Sequence, residues 1–326
     1  MKRVLVNITE QCNLNCSFCY VYPKRKNILD TDVFIDWISK YKNFFKEDIE
    51  ISFYGGEPIL QITELIKIIS TFGTEVKKYT LGTNLVYDLT NDIINTCKNC
   101  YVITSWDPIS LRFKTKSNFE LWKENCKIIK PDICTIVLNN EVLKTDPRDI
   151  FENCILWGFK KIHFQKLHNI GNAKVLNLSV PNWNEVDDWL CSAYEFRLLE
   201  LKVILFEDYI NSCIKDKAFE NWNHKCAGDS ITIQSDGSIS GCCLSTAETF
   251  SSIYESLETL YTSKKYKFIM NTASEKLVCR ICSFYQYCNS NCLRLKWNNN
   301  ICPFPKKLFR KILEDYNPNI LSSVIG

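Results

Sequence analysis

No stretch of this 326-residue chain approaches the roughly 20 consecutive apolar residues that a membrane-spanning helix requires. Its opening, Met1-Lys2-Arg3-Val4, lacks the apolar core and cleavage site of a secretory signal. There is no internal repeat and no low-complexity tract. Charge of neither sign dominates: 40 Lys and Arg against 37 Asp and Glu leave a formal net charge of +3. Short basic runs, at 24–26 and 306–307, read as solvated surface rather than a phosphate track. These absences argue against a membrane, secreted or nucleic-acid-binding protein, and the expected location is the cytoplasm.

Cysteine is the residue in excess, with 18 in the chain. Disulfide-dense proteins are usually small and secreted. In a long chain without a secretion signal, the surplus reads as metal ligands kept reduced, and oxygen is expected to damage the protein. With 46% hydrophobic residues there is enough apolar surface for a large core.

Short apolar strands alternate with amphipathic helices over the first two thirds. The pattern predicts strands over 4–8, 49–53, 79–81, 101–105, 134–138 and 161–165, with helices over 31–45, 59–72, 91–97, 119–130 and 148–157 between them. Such alternation calls for a parallel sheet with right-handed crossovers. Six units make this an α/β chain with a partial (β/α)6 TIM-like barrel, whose active site belongs at the C-terminal ends of the strands. A helix is expected over 183–199 and a strand over 203–206. Two domains follow: 1–205 as the barrel and 206–326 as a small cysteine-rich unit. In the second, Asp236-Gly237 between alternating residues signals a hairpin. Its thin apolar content implies that bound metal supplies part of its stability.

Cys12, Cys16 and Cys19 stand as C-x3-C-x2-C in the loop after the first strand. Three thiolates at this spacing can hold three irons of a [4Fe–4S] cluster and leave the fourth open to a small molecule. The competing reading is a zinc site short of one ligand, although zinc knuckles usually pair C-x2-C units. Gly55-Gly56-Glu57-Pro58 follows the second strand. The glycines allow a close backbone approach to a ligand, and Glu57 offers a carboxylate to a cation. Read alone, the run is a tight turn with Pro58 opening a helix.

Taken together, the cysteine run with Phe18 before Cys19 and the Gly-Gly-Glu-Pro run resemble the radical SAM superfamily. The resemblance implies that S-adenosylmethionine chelates the open iron. It also implies that Gly55, Gly56, Glu57 and Pro58 hold the methionine amino group and that Phe18 lies near the adenine. Thr83 and Asn84 look like that family's Thr-Asn-Gly turn, with Leu85 in place of glycine. Ser105 and Asp107 look like its Ser-x-Asp near the ribose. Both later matches are equally compatible with ordinary turns at strand ends.

The C-terminal cysteines resemble the SPASM extension of a subset of that family. This implies two auxiliary [4Fe–4S] clusters, making three in all: an outer one on Cys279, Cys282, Cys288 and Cys302, and an inner one on Cys226, Cys242 and Cys292. The inner cluster's fourth ligand is open between Cys213, Cys243 and no protein ligand at all. Cys97-x2-Cys100 and Cys126, Cys134, Cys154 and Cys191 read as structural thiols. His163 and His168 read as satisfied polar residues at the end of the sixth strand.

The family's chemistry implies reductive cleavage of S-adenosylmethionine to a 5′-deoxyadenosyl radical that removes a hydrogen atom from the substrate. Auxiliary clusters favour net oxidation, and SPASM relatives mostly act on peptides, forming thioethers or carbon–carbon crosslinks. The expectation is an oxidoreductase that matures a ribosomal peptide, served by a flavodoxin- or ferredoxin-type electron donor. With the first strand expected from about residue 3, no leader-binding domain is expected before it, so a separate leader-binding protein, leader-free recognition or a small-molecule substrate stays open. Sulfatase maturases carry an aspartate where Cys243 stands, which counts against formylglycine formation and raises an epimerase-like hydrogen return by Cys243 as a catalytic thiol. The remote alternative is no enzyme at all: an iron–sulfur electron carrier or a zinc-binding module.

Overall fold

The computed structural model describes residues 2–45, 48–109, 112–217, 230–242, 249–264, 279, 281–288 and 301–317. The barrel repeats a strand–helix unit: β1 (Lys2–Thr9), α1 (Thr31–Phe45), β2 (Ile49–Gly55), α2 (Ile62–Phe72), β3 (Lys78–Gly82), α3 (Asn91–Lys98), β4 (Tyr101–Ser105), α4 (Lys116–Ile129), β5 (Ile133–Leu138), α5 (Pro147–Leu156) and β6 (Lys161–Lys166). Local chemistry sets several helix starts. The side chains of Thr90, Thr115, Asp146 and Asn182 each accept a first-turn backbone N–H, and Pro147 adds a preset φ at the start of α5.

Alternation along the strands sorts the two faces of the sheet. Val4, Val6 and Ile8 of β1 are fully buried, and with Phe34, Trp37, Ile38 and Tyr41 of α1 they belong to one apolar cluster. The alternate positions line the barrel interior: Leu5 on β1, Ile103 and Ser105 on β4, Thr135 and Val137 on β5, His163 and Gln165 on β6.

Strands β1 to β6 pair in parallel in chain order, and β7 (Lys202–Val203) adds a short parallel strand beside β6. The opposite edge is extended by β8 (Ser230–Ile233), β9 (Ser238–Ser240) and β10 (Thr249–Ser252). β8 runs parallel to β1, and β8 to β10 form an antiparallel meander. The order β10-β9-β8-β1-β2-β3-β4-β5-β6-β7 leaves β1 and β6 unpaired with each other, so the barrel is partial and open. The expected hairpin forms around Asp236-Gly237, where Gly237 takes φ +79.

Two expectations change. Residues 203–206 are mostly helix: after β7 the chain enters α8 (Ile204–Lys215). Leu205, Phe206, Tyr209, Ser212 and Cys213 are its buried residues, a helical spacing that outranks the four-residue apolar run. The helix expected over 183–199 ends earlier, as α7 (Trp183–Tyr194). Residue 206, the expected domain start, lies inside α8, and β8 from beyond it joins the barrel sheet.

Further helices are the short α6 (Gly171–Val175) between β6 and α7, then α9 (Leu257–Thr262), the short α10 (Tyr285–Cys288) and α11 (Lys306–Tyr316). α11 is clamped to α7. Asp187 accepts the backbone N–H groups of Lys307 and Leu308 at 2.8 and 2.9 Å, capping α11 from another helix. Asp315 accepts from Tyr194 at 3.0 Å and pairs with Arg197 at 2.8 Å. Among the described residues no helix is long and apolar enough to cross a membrane.

Candidate active site

The cysteine loop leaves the C-terminal end of β1 and is closed at its base. Thr9 bridges to Ile28, the Thr9 hydroxyl donates to the Asn27 carbonyl at 3.1 Å, and Leu29 N–H donates to Ile8 O at 2.9 Å. Cys12 Sγ accepts from Leu14 N–H at 3.4 Å and faces Asn84 Nδ2 at 3.7 Å. A turn from Cys16 to Cys19 is closed by Cys19 N–H to Cys16 O at 3.2 Å. Lys24 donates to the Leu14 carbonyl. Burial pushes the Cys12 and Cys19 thiols above their usual range, while backbone hydrogen bonding and Lys24 act in the opposite sense.

The Gly-Gly-Glu-Pro segment buttresses this loop. Gly56 N–H donates to Thr9 O and Glu57 N–H to Gln11 O, both at 2.7 Å. A Cβ on Gly55 would lie 2.3 Å from Thr9 O, and one on Gly56 would lie 2.0 Å from Gln11 O. The close approach that needs glycine is therefore between two backbone segments, although both glycines also line the cavity.

Glu57 is fully buried and turns toward β3. Its carboxylate accepts Thr83 Oγ1–H at 2.7 Å, Asn84 N–H at 2.7 Å and Ile59 N–H at 3.2 Å. Burial pushes its pKa up to about 7 against those hydrogen bonds. Pro58 opens a short 3-10 turn, Pro58–Gln61. Neither Glu57 nor Pro58 lines the cavity; Thr83 and Asn84, which Glu57 holds, do. Leu85 takes the left-handed φ of +54 that explains a glycine at this turn in the resembled pattern.

A cavity of about 360 Å³ opens at the C-terminal ends of the strands and continues down the barrel axis. Cys12, Cys16, Cys19, Phe18 and Ser105 line it. Asp107 does not: it is buried and accepts Arg112 N–H at 2.9 Å. Arg112 lines the cavity, and no sequence motif marked it. Its guanidinium lies 5.4 Å from the Phe18 ring, and its Nε is buried with no partner among the described residues. Lys24, Arg112 and Lys166 bring positive charge to the lining, which contains no carboxylate among the described residues. His163 faces the cavity too, and burial lowers its pKa to about 4, so the imidazole is neutral near pH 7. His168 also lines the cavity.

A second cavity, of about 290 Å³, is lined by Cys279, Cys282, Cys288 and Cys302, with Lys306 and Arg310 among its other walls. Burial pushes Cys288 up to about 12 and raises Cys302. Cys242 is partly buried at the end of the β9 segment. Cys213 is fully buried in α8, lines neither cavity, and its thiol is pushed up to about 12. Cys226, Cys243 and Cys292 lie outside the described residues. Cys97 is buried in α3 and Cys100 is half-buried just after it, and burial pushes both thiols up to about 12.

Both donor sets suit a thiolate-ligated iron–sulfur group. Soft sulfur donors line each cavity, and in the first the glycines keep the backbone thin beside them. Among the described residues no three His, Cys, Asp or Glu side chains converge on a single-ion position.

Residues 6–131 match the family described as the Radical SAM superfamily. The chain is 35% identical over 69 residues to Uncharacterized protein MJ0907 of Methanocaldococcus jannaschii, an alignment that spans 21% of this chain and 24% of that protein. It is 22% identical to the radical SAM cyclopropyl synthase TigE of Paramaledivibacter caminithermalis, covering 96% of this chain and 74% of TigE. Its fold is similar to anSMEcpe with bound AdoMet (TM-score 0.76, 16% identity, 99% and 98% of the two chains). It is also similar to Streptococcus suis SuiB bound to its precursor peptide SuiA (TM-score 0.65, 14% identity, 89% and 71%). The cysteine loop and its glycine buttress both fall within the matched residues 6–131, so this part of the chain is similar to the Radical SAM superfamily.

Proposed function

We propose that this chain is a radical SAM enzyme that oxidatively modifies a peptide, as in the maturation of ribosomally made peptides by thioether or carbon–carbon crosslinking. The observation that carries the reading is one cavity in which Cys12, Cys16 and Cys19 share walls with the barrel interior. A small cofactor at the rim and a substrate group below it would then meet.

When bound there, the iron–sulfur group supplies the electron that splits S-adenosylmethionine. The protein's part is to bind, orient and shield. Gly55, Gly56, Thr83 and Asn84 form the wall for the methionine end, held in place by Glu57 and Pro58 from behind. Arg112 supplies a guanidinium for its carboxylate. Phe18 and Ser105 stand for the adenine and ribose, with Asp107 fixing the loop that carries Arg112. The apolar walls Leu5, Ile103 and Val137 exclude water and hydrogen donors from the radical's path.

The second cavity supports net oxidation, since its four cysteines suit an auxiliary cluster able to accept an electron. Cys226, Cys242 and Cys292 would hold an inner cluster. The peptide reading draws on SuiB bound to precursor peptide SuiA and on anSMEcpe with bound AdoMet and Cp18Cys peptide. An electron donor of flavodoxin or ferredoxin type is the partner this reading asks for; the peptide's leader would be read either by a separate protein or not at all. The test is co-expression with any short cysteine- or aromatic-rich peptide encoded beside this gene, followed by mass spectrometry. Loss of two hydrogens from a peptide, dependent on Cys16, supports the reading. A hydrogen-neutral product, or turnover of a small molecule alone, overturns it.

A further inference from the structure

After β6 a short helix, α6 (Gly171–Val175), reaches back onto the cysteine loop. Asn172 N–H donates to Cys19 O at 2.8 Å, and Asn172 Nδ2 donates to Cys16 O at 2.9 Å. One buried residue thus binds the carbonyls of two of the three cysteines, across 156 positions of sequence. Cys16 O also accepts Cys19 N–H, so the Asn172 amide locks the turn that sets the spacing of these two thiols. Gly171 makes the approach possible. Its φ is +55, and a Cβ there would lie 2.4 Å from Cys19 O and 2.6 Å from Tyr20 O.

The same segment lines the cavity. His163 and Gln165 face the barrel interior, and Leu167, His168 and Ile170 continue the wall up to the clasp. We infer that Asn172 is a positioning residue: it fixes the Cys16–Cys19 turn for cluster binding and ties that turn to the substrate-facing strand. This rests on the cluster reading of the cysteine loop.

A packing role and a hydrogen-bonding role predict opposite orders for two variants. Asn172→Ala leaves a small hole and removes the Nδ2 donor. Asn172→Asp keeps the volume but turns a carboxylate oxygen toward Cys16 O, placing acceptor against acceptor. The experiment reconstitutes the full chain anaerobically. It then follows iron loss to a chelator, and the change that S-adenosylmethionine alone causes in the electron paramagnetic resonance signal of the reduced protein.

We expect about five-fold faster iron loss for Asn172→Ala, the factor one net hydrogen bond is worth. The loss should be faster still for Asn172→Asp, with a matching decline of the SAM-responsive signal. Unfolding of each metal-free variant checks the fold, and if Asn172→Ala does not fold, the volume-conserving Asn172→Asp decides alone. Asn172→Asp behaving as the unaltered protein overturns the inference. An unaltered protein that takes up no iron–sulfur cluster overturns instead the reading on which it rests.

Discussion

Glu57 accepts the backbone N–H of Asn84 at 2.7 Å, so the carboxylate after β2 holds the turn after β3 against the cysteine loop. The Asn84 side chain completes the link, donating to Asn13 Oδ1 at 2.7 Å and facing Cys12 Sγ. Three strand ends are thereby fixed to one another before any ligand arrives, which is the preorganisation a site for a reactive intermediate requires.

Glu57 should leave a signature in the pH dependence of stability. Its pKa rises from 4.5 to about 7 on folding, so between those values the folded chain holds a proton that the unfolded chain has released. Stability from this group is therefore present at low pH and falls as pH rises from about 4.5 to about 7, by up to roughly 3 kcal/mol. Denaturant unfolding at pH 5 and pH 8 should show a smaller difference for Glu57→Gln than for the unaltered protein. Equal differences would contradict the assignment.

Gly56→Ala should be severe. The added methyl meets a backbone carbonyl, which cannot swing aside as a side chain would. Gly73→Ala is the control, with nothing within 4 Å of the new Cβ, and its positive φ costs about 1–2 kcal/mol. Iron content after anaerobic reconstitution should collapse for Gly56→Ala and hold for Gly73→Ala.

Leu85 combines a left-handed backbone with complete burial, and the Asn125 amide ties its carbonyl at 3.0 Å. Leu85→Gly relieves about 1–2 kcal/mol of backbone strain but removes a core side chain worth about 2–5 kcal/mol. Urea unfolding should therefore show a net loss of stability. A gain would mean that strain, not packing, governs this turn.

Asp187 caps α11 from α7 and so holds the wall carrying Lys306 and Arg310 at the second cavity. Asp187→Ala should cost about 0.5–2 kcal/mol. It should also speed proteolysis near the C-terminal helix, with partial recovery in Asp187→Asn, which keeps one acceptor. Equal proteolysis of all three proteins would contradict the clamp.

The Cys97 and Cys100 thiols, held protonated by burial, should resist alkylation at pH 8. The double replacement by alanine should leave iron content unchanged.

Much of the barrel was legible because its signals are local. The strand at 101–105 and the helix at 31–45 end where polar alternation and helical spacing place them. The run at 203–206 misled because four apolar residues suit either period, and Tyr209, Ser212 and Cys213 further on decide for helix. At the site, cysteine spacing was visible, but partners across the fold were not. Nothing near Gly56 says that the approaching group is the chain's own Gln11, and nothing near Arg112 or Asn172 marks them. Their placement depends on loops that meet only once the sheet has curled.

The most direct test is formation of 5′-deoxyadenosine from S-adenosylmethionine and dithionite by anaerobically reconstituted protein. Stoichiometric or catalytic product in the unaltered chain, and none in Cys16→Ala, is the predicted result. An oxygen-stable protein with zinc in the cysteine loop and no cleavage would contradict the account.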